Sequence, residues 1–209
     1  MTGRIIKGDA CVVEGAAWLA DREPRFAQAL ALTGPLPLRL KPDGFAELVS
    51  AIVSQQVSTA SAAAIWARVD AAGMTAPESI LAASDAYLQG CGLSRPKLRY
   101  LRALAEAGID YAALRSAPTE EVIDTLTAVT GIGHWTAEIY AMFSLGRADV
   151  FAHGDLALQE SARVLFGLTE RPTERQMRGM AEAWSPWRSV AARILWAYYR
   201  VNKAHEGIR

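Results

Sequence analysis

Leu126-Thr-Ala-Val-Thr-Gly-Ile-Gly-His-Trp-Thr-Ala137 is the stretch that decides the fold of this 209-residue chain. Gly131 and Gly133 flank one apolar residue, with an apolar amphipathic run before them and another that opens at Trp135. This order is typical of two helices joined by a tight turn, because glycine can take a positive φ and lets another molecule approach the backbone. The first amides of the second helix lie at the positive end of the helix dipole. The stretch therefore predicts a site for phosphate groups.

Helical periodicity dominates the remaining sequence, and alternation of β-branched residues is confined to Ile5, Ile6, Val12 and Val13 near the start. Prolines suited to a first helical turn and glycines suited to a helix end mark the boundaries. We predict helices at about 24–32, 44–53, 58–71, 77–82, 84–90, 95–107, 118–129, 134–145, 155–166, 173–184 and 186–201. The proline-containing stretch 34–42 is predicted to be an extended connector.

The composition indicates a globular chain with a sizeable core, since 51% of the residues are hydrophobic and no apolar run approaches the length of a membrane span. The N-terminus lacks the features of a signal peptide, so we expect a cytoplasmic protein. Cys11 and Cys91 are the only cysteines. Their number and spacing exclude a disulfide framework, a zinc site of the usual spacing and an iron–sulfur cluster.

The net charge gives no indication of nucleic-acid binding, because 22 basic side chains balance 22 acidic ones. Their distribution is uneven, with nine bases against five acids over residues 159–209. Residues 94–102 hold no acid and four bases, which are Arg95, Lys97, Arg99 and Arg102. For each single charge, a solvated helix face is the ordinary interpretation.

Four blocks of the sequence together resemble one family. They are Phe45–Ser58, the glycine-turn stretch, Asp149–Phe151 followed by Asp155, and Trp184–Trp196, in that order. A lone Gly-Ile-Gly is weak evidence for a family. Four blocks in the family's order, with an aspartate at the expected distance, are strong evidence. On these residues the chain is similar to the helix-hairpin-helix (HhH-GPD) DNA glycosylases, and among them to the 3-methyladenine DNA glycosylase II (AlkA) type.

The resemblance implies an all-α fold in which two helical lobes, one with a helix-hairpin-helix motif, enclose a lesion cleft. Residues of about 44–150 would form the central lobe, with the hairpin at 126–137. Residues of about 151–209 would pack with the N-terminal segment and connector, 1–43, to complete a single glycosylase unit. The N-terminal segment is too short for the β domain of larger relatives, so we expect the short, all-helical form. The two cysteines disfavour relatives with a four-cysteine cluster, such as the endonuclease III and MutY types.

Asp155 follows a glycine at the predicted start of a helix, where an N-cap is its ordinary role. The resemblance implies a catalytic role as well: the matching aspartate of the family faces the flipped nucleotide and stabilises the positive charge that develops on the sugar. The helix dipole would favour the ionised carboxylate, so the two roles are compatible.

Trp135 and Trp196 match the aromatic residues of the base pocket in the AlkA type. Aromatic faces attract a cationic, alkylated base by stacking and cation–π forces. Core packing is the ordinary interpretation of a tryptophan on an amphipathic helix, and it stays open at this point. Trp135 also stands where bifunctional relatives carry a lysine nucleophile. The resemblance therefore implies an enzyme that uses water and leaves an abasic site.

Gln55 and Gln56 lie between two apolar helices, where a plain interhelical loop is the ordinary interpretation. In relatives this loop enters the minor groove and fills the gap left by the extruded base. The best known AlkA protein has an apolar leucine at the plug position, whereas Gln56 occupies it here. A polar wedge can hydrogen-bond to the orphaned partner base. Because of this departure, the sequence does not determine the DNA affinity or which lesions are accepted.

The resemblance implies DNA-backbone contacts from the turn, through Thr130, Gly131, Ile132, Gly133 and His134. Thr130 departs from the proline that many relatives carry, which changes turn rigidity more than chemistry. The resemblance also implies a monovalent cation bound by main-chain carbonyls of Thr130 and Ile132, and no metal bound by side chains. A second histidine at position 153 precedes Asp155, and we interpret both histidines as surface or capping residues.

The resemblance implies a monofunctional, cofactor-free DNA glycosylase of base excision repair that removes alkylated purines of the 3-methyladenine and 7-methylguanine class. Its partner would be double-stranded DNA containing alkylated bases, and we expect a monomer with no membrane contact in a bacterial-type, nucleoid-associated cytoplasm. Two alternatives stay open. One is a non-catalytic DNA-damage-binding protein, and the other is a monofunctional glycosylase for uracil, hypoxanthine or a mismatched base.

Overall fold

The structure, a computed structural model, describes residues 2–206 and the side chains of residues 2–204. Thirteen helices occupy these residues, and the only strand-like pairing among them is an isolated antiparallel bridge between Ile5 and Arg147. The all-α prediction is confirmed. The helices are α1 (Asp9–Arg22), α2 (Pro24–Thr33), α3 (Phe45–Ser54), α4 (Thr59–Ala71), α5 (Pro77–Ala82), α6 (Asp85–Gly90), α7 (Arg95–Glu106), α8 (Tyr111–Ser116), α9 (Thr119–Thr127), α10 (His134–Phe143), α11 (Leu156–Leu165), α12 (Glu174–Glu182) and α13 (Arg188–Glu206).

Two of these helices, α1 and α8, were not predicted. In α1 the buried residues Val12, Gly15, Ala16 and Leu19 follow helical spacing. The neighbouring Val12-Val13 pair hides that pattern in the sequence, because β-branched residues suggest a strand. Helix α8 has only six residues, and its local signal is the N-cap residue Asp110, whose side chain accepts the Ala113 N–H over 3.0 Å.

One compact unit comprises Lys41–Tyr140. Helix α7 is central in it, packing against α3, α5 and α6, while α3 also packs against α4. Helix α3 is anchored at its start by the hairpin, because the backbone N–H of Gly44 donates to the Tyr140 hydroxyl over 2.8 Å. Burial raises the pKa of that phenol to about 12, so it stays protonated at neutral pH.

The second compact unit comprises Thr2–Leu40 and the chain from Ala141 onward. Helix α13 is its centre and packs against α1, α2 and α11. The division falls ten residues before the boundary predicted at about 150. Residues 146–148 belong to this unit because the Ile6 N–H donates to Gly146 O over 2.7 Å and the Ala148 N–H donates to Arg4 O over 2.9 Å.

The connector between α2 and α3 contains no helix, and a buried arginine of α13 holds it. Arg193 donates from Nε and Nη2 to the Leu38 carbonyl, over 3.2 and 2.9 Å. No helix within residues 2–206 has the length and apolar character that crossing a membrane requires.

Candidate functional site

The turn between α9 and α10 contains two glycines with different surroundings. Gly131 has φ +97°, and a Cβ added there would overlap the ring of Tyr100 on α7. Gly131 is therefore required by the protein's own packing as well as by its backbone conformation. Gly133 does not have a positive φ, and nothing lies within 4 Å of the position that its Cβ would take. The open space at Gly133 is available to another molecule.

Helix α10 begins at His134, so Gly133 occupies its N-cap position. Glycine has no side chain with which to cap the first amides. His134 and Thr130 are exposed, whereas Ile132 is buried and anchors the turn. The turn is thus anchored by Ile132 and exposes the residues Thr130, Gly133 and His134.

The loop after α3 is tied to this turn. Gln55 donates from Nε2 to the Gly131 carbonyl over 3.0 Å. Gln56 is exposed and has φ +56°, an uncommon value for a residue with a side chain. The two glutamines therefore have different positions: Gln55 bonds within the protein, and Gln56 stands at the exposed tip. A groove of about 610 Å³ lies between this loop, the turn and the start of α7.

Asp155 is the N-cap of α11 in the second unit, as its position in the sequence predicted. Its Oδ1 accepts the N–H groups of Ala157 and Leu158 over 2.9 and 3.0 Å. The same oxygen accepts the indole N–H of Trp196 from α13, over 3.3 Å. These bonds fix the carboxylate, which is partly exposed, at the positive end of the α11 dipole.

Trp196 is partly exposed and lies between Asp155 and an aromatic neighbour. Its ring centre is 5.7 Å from that of Phe143, with the planes tilted by 34°. The buried guanidinium of Arg193 lies over the other ring, 4.7 Å from the Phe143 centroid. Burial lowers the pKa of Arg193 to about 10, which still leaves it charged at neutral pH. Trp196 is thereby oriented by both a hydrogen bond and a ring contact.

Trp135, in the first unit, is 48% exposed on the first turn of α10. This exposure excludes a core role for its side chain within the described residues. A tryptophan exposed in this way presents an indole face on which another ring can stack. The two candidate pocket tryptophans thus belong to different units of the chain.

The two histidines also differ. His134 is exposed beside the turn, whereas His153 is buried, and its ring lies 5.3 Å from that of Phe151. The prediction of surface or capping histidines is therefore wrong for His153, since its side chain packs in the interior. Within residues 2–204, no three His, Cys, Asp or Glu side chains converge as a metal site.

The basic cluster on α7 is not a uniform solvated face. Arg95 and Arg99 are exposed, but Lys97 is buried and donates from Nζ to the Val53 carbonyl over 2.6 Å. Arg102 donates to main-chain carbonyls in the last turn of α5 and to that of Ala83, the latter over 2.6 Å. The solvated interpretation is therefore wrong for Lys97 and Arg102, because carbonyls at helix ends need donors.

Tyr100 and Lys97 contact the turn and the loop, and the sequence-based predictions did not identify them as site residues. A signal existed for Lys97, which shares the buried stripe of α7 with Leu101 and Leu104, four and seven residues further on. The contact between Tyr100 and Gly131 joins residues far apart in the chain, and no local pattern encodes it.

Comparison with known proteins gives one consistent result. Residues 49–188 match the family described as HhH-GPD superfamily base excision DNA repair protein. The DNA-3-methyladenine glycosylase 1 of Schizosaccharomyces pombe is 33% identical over 165 residues, which cover 75% of this chain and 72% of that protein.

Two solved structures are also similar. The DNA-3-methyladenine glycosidase of Bacillus halodurans has a TM-score of 0.81 and 35% identity, covering 97% of this chain and 94% of that one. The 3-methyladenine DNA glycosylase of Schizosaccharomyces pombe in complex with abasic DNA has a TM-score of 0.76 and 30% identity, covering 88% of this chain and 95% of that one.

Proposed function

The chain belongs to the HhH-GPD superfamily of base excision DNA repair proteins, and we propose that it is a monofunctional DNA glycosylase that removes alkylated purines from double-stranded DNA. The observation that carries this proposal is the fixed Asp155 carboxylate beside the indole of Trp196. Relatives named as 3-methyladenine glycosylases, among them one solved with abasic DNA, support the substrate class. Purines of the 3-methyladenine and 7-methylguanine class are the proposed substrates.

Asp155 is the proposed catalytic residue. As the N-glycosidic bond breaks, the base leaves with the bonding electrons and positive charge develops on the sugar. A fixed carboxylate stabilises that charge without having to reorganise. Water then adds at the anomeric carbon and loses a proton, which leaves an abasic site and the free base. The three hydrogen bonds to Oδ1 hold the carboxylate in place for this step.

Trp135 and Trp196 are the proposed walls of the base pocket. An alkylated purine carries a positive charge on its ring, which makes it a good leaving group and attracts it to aromatic faces. Strong general-acid catalysis is then unnecessary. The pocket therefore selects cationic bases by attraction rather than by a proton donor.

The turn Thr130–His134 is the proposed grip on the DNA backbone, and Gln56 is the proposed wedge. The amides at the start of α10 are suited to a phosphate, and the open space at Gly133 lets the phosphate approach. Gln56 stands at the exposed loop tip, where its amide can bond to the base left unpaired. Gln55 positions that loop from the turn.

We further propose that catalysis needs no cofactor and that a monovalent cation binds at the turn. The residues fit such an ion: the carbonyls of Thr130 and Ile132 accept none of the described hydrogen bonds, whereas those of Val129 and Gly131 each accept one. An ion held by these carbonyls would supply positive charge that attracts a DNA phosphate. A monomer in the bacterial cytoplasm is the form we expect to act.

Release of 3-methyladenine, 7-methylguanine and ethenoadenine from treated duplex DNA tests the proposal. We expect the two methylated bases to be released by the wild-type chain. A chain that binds the duplex but releases neither methylated base would be a damage-binding protein instead. Release of uracil or hypoxanthine without methylated purines would reassign the substrate class.

A further inference from the structure

Lys97 is a buried cation with a single described partner. Its side chain is 7% exposed, and its Nζ donates to the Val53 carbonyl over 2.6 Å. Burial lowers the pKa of Lys97, because the ammonium is partly desolvated. Burying an ammonium against one neutral carbonyl is unfavourable. An apolar residue would suit the stripe of α7 better, so packing alone does not explain the lysine.

The bond from Lys97 reaches the last turn of α3, immediately before the loop that carries the proposed wedge. Val53 precedes Ser54, the final residue of α3, and Gln55 follows in an extended conformation. Carbonyls in the last turn of a helix lack intrahelical partners, and a cation there is favoured by the helix dipole. Lys97 thus provides a donor to a carbonyl in the last turn of α3.

The same helix also supports the turn. Tyr100, three residues after Lys97, fills the space where a side chain at Gly131 would stand. Gln55 closes the arrangement with its hydrogen bond to the Gly131 carbonyl. The loop and the turn are therefore attached both to α7 and to each other. Gln56, the next residue after Gln55, has the uncommon φ of +56°.

We propose that Lys97 is a positioning residue for base eversion: its ammonium holds the end of α3 so that Gln56 is presented as a wedge at a fixed offset from the backbone-gripping turn. The inference rests on the proposed function of the turn and loop. Without the ammonium, the loop can relax while the turn keeps its grip. Loss of the ammonium should therefore slow the step in which Gln56 replaces a stacked base. It should leave the affinity for the duplex unchanged.

Lys97→Met tests this role, because methionine keeps an apolar side chain of similar shape and removes the ammonium. Arg99→Met, at an exposed position of the same helix, is the matched control. We expect Lys97→Met to bind undamaged duplex within about twofold of wild type. Its single-turnover excision of 7-methylguanine from a base pair should fall by at least about tenfold, and Arg99→Met should stay near wild type.

Rescue by the substrate separates positioning from a merely structural defect. A 7-methylguanine placed in a single-nucleotide bulge is already unstacked and needs no wedge. Lys97→Met should therefore excise it at nearly the wild-type rate. Equal loss on paired and bulged lesions, or undiminished excision of the paired lesion, would overturn the inference. If Lys97→Met does not fold, Lys97→Gln, which is shorter and uncharged, gives the same comparison.

An eversion assay without chemistry keeps this inference distinct from the proposed function. The probe is a duplex in which 2-aminopurine lies beside a 2′-fluorinated 7-methylguanosine, which resists excision. The fluorescence of 2-aminopurine rises when this stacked neighbour is extruded. We expect the rise with wild-type protein and not with Lys97→Met. A wild-type chain that excises nothing would contradict the proposed function, whereas an equal fluorescence rise in both proteins would contradict the role of Lys97.

Discussion

Two helices of this protein, α10 and α11, begin directly after a glycine-containing turn. They differ in whether a side chain of the protein accepts hydrogen bonds from their first amides. At α11 the amides of Ala157 and Leu158 are bonded by the protein's own Asp155. At α10 the N-cap position is Gly133, which has no side chain with which to do this, and the space beside it is open. The dipole is the same at both ends, so the difference lies in the capping side chain.

This difference indicates that the positive end of a helix dipole has a different role at each of the two helix starts. The start of α11 holds an anion that belongs to the protein, and a fixed carboxylate is suited to stabilise a cation. The start of α10 offers its positive end to an anion from outside, which suits a phosphate. Substitutions at the two starts should therefore damage different steps, namely chemistry at α11 and DNA binding at α10.

The largest effect is expected for Asp155→Asn. Asparagine caps a helix about as well as aspartate, so the thermal midpoint should change little. Loss of the negative charge should lower the single-turnover excision rate by a factor on the order of 10² to 10³, with lesion binding retained. Excision at a comparable rate would remove Asp155 from the catalytic role. Unfolding of the variant would instead leave only its N-cap role.

The next largest effect is expected at the pocket tryptophans. Trp135→Ala and Trp196→Ala should each weaken excision of cationic bases by about 1 to 3 kcal/mol, because each removes one stacking partner. Binding of undamaged duplex should change much less. Trp196→Phe is a useful control, since it keeps a ring and loses the hydrogen bond to Asp155. Variants that lose stability but keep the wild-type preference among bases would return the tryptophans to packing roles.

A smaller effect is expected at Gly133, and Gly131 supplies the contrast. Gly133→Val should fold normally, because its side-chain space is open, but weaken duplex binding by about tenfold through one lost phosphate contact. The slope of affinity against salt should also fall by about one. Gly131→Val should reduce stability itself, because valine would overlap Tyr100 and take a positive φ. Normal binding and salt dependence in Gly133→Val would refute the grip.

The smallest signal is expected from covalent trapping with borohydride, in which we predict that no adduct forms. The resemblance places Trp135 where bifunctional relatives carry a lysine nucleophile, and α10 contains no lysine to attack the sugar. Borohydride should trap no protein–DNA adduct, and the strand should break only after alkali or an added lyase. A bifunctional glycosylase with an active-site lysine is the positive control, and an adduct with this chain would disprove monofunctional chemistry.

The sequence by itself determined the features that depend on neighbouring residues. The glycine turn at 131–133, the N-cap at Asp155 and most helix boundaries follow from propensities and caps within a few positions. The same local rules missed α1, where a pair of valines obscured the helical spacing, and the six-residue α8, whose N-cap at Asp110 was not recognised.

Only the tertiary structure decided which distant residues support the site. Trp196 donates to a carboxylate 41 positions away, Gln55 reaches a carbonyl 76 positions away, and Tyr100 determines why Gly131 must be glycine. The tertiary structure also shows that Lys97, predicted to be a solvated base, is a buried hydrogen-bond donor. Such contacts depend on how helices pack, and packing is specified jointly by the whole apolar pattern, so no single segment of the sequence encodes them.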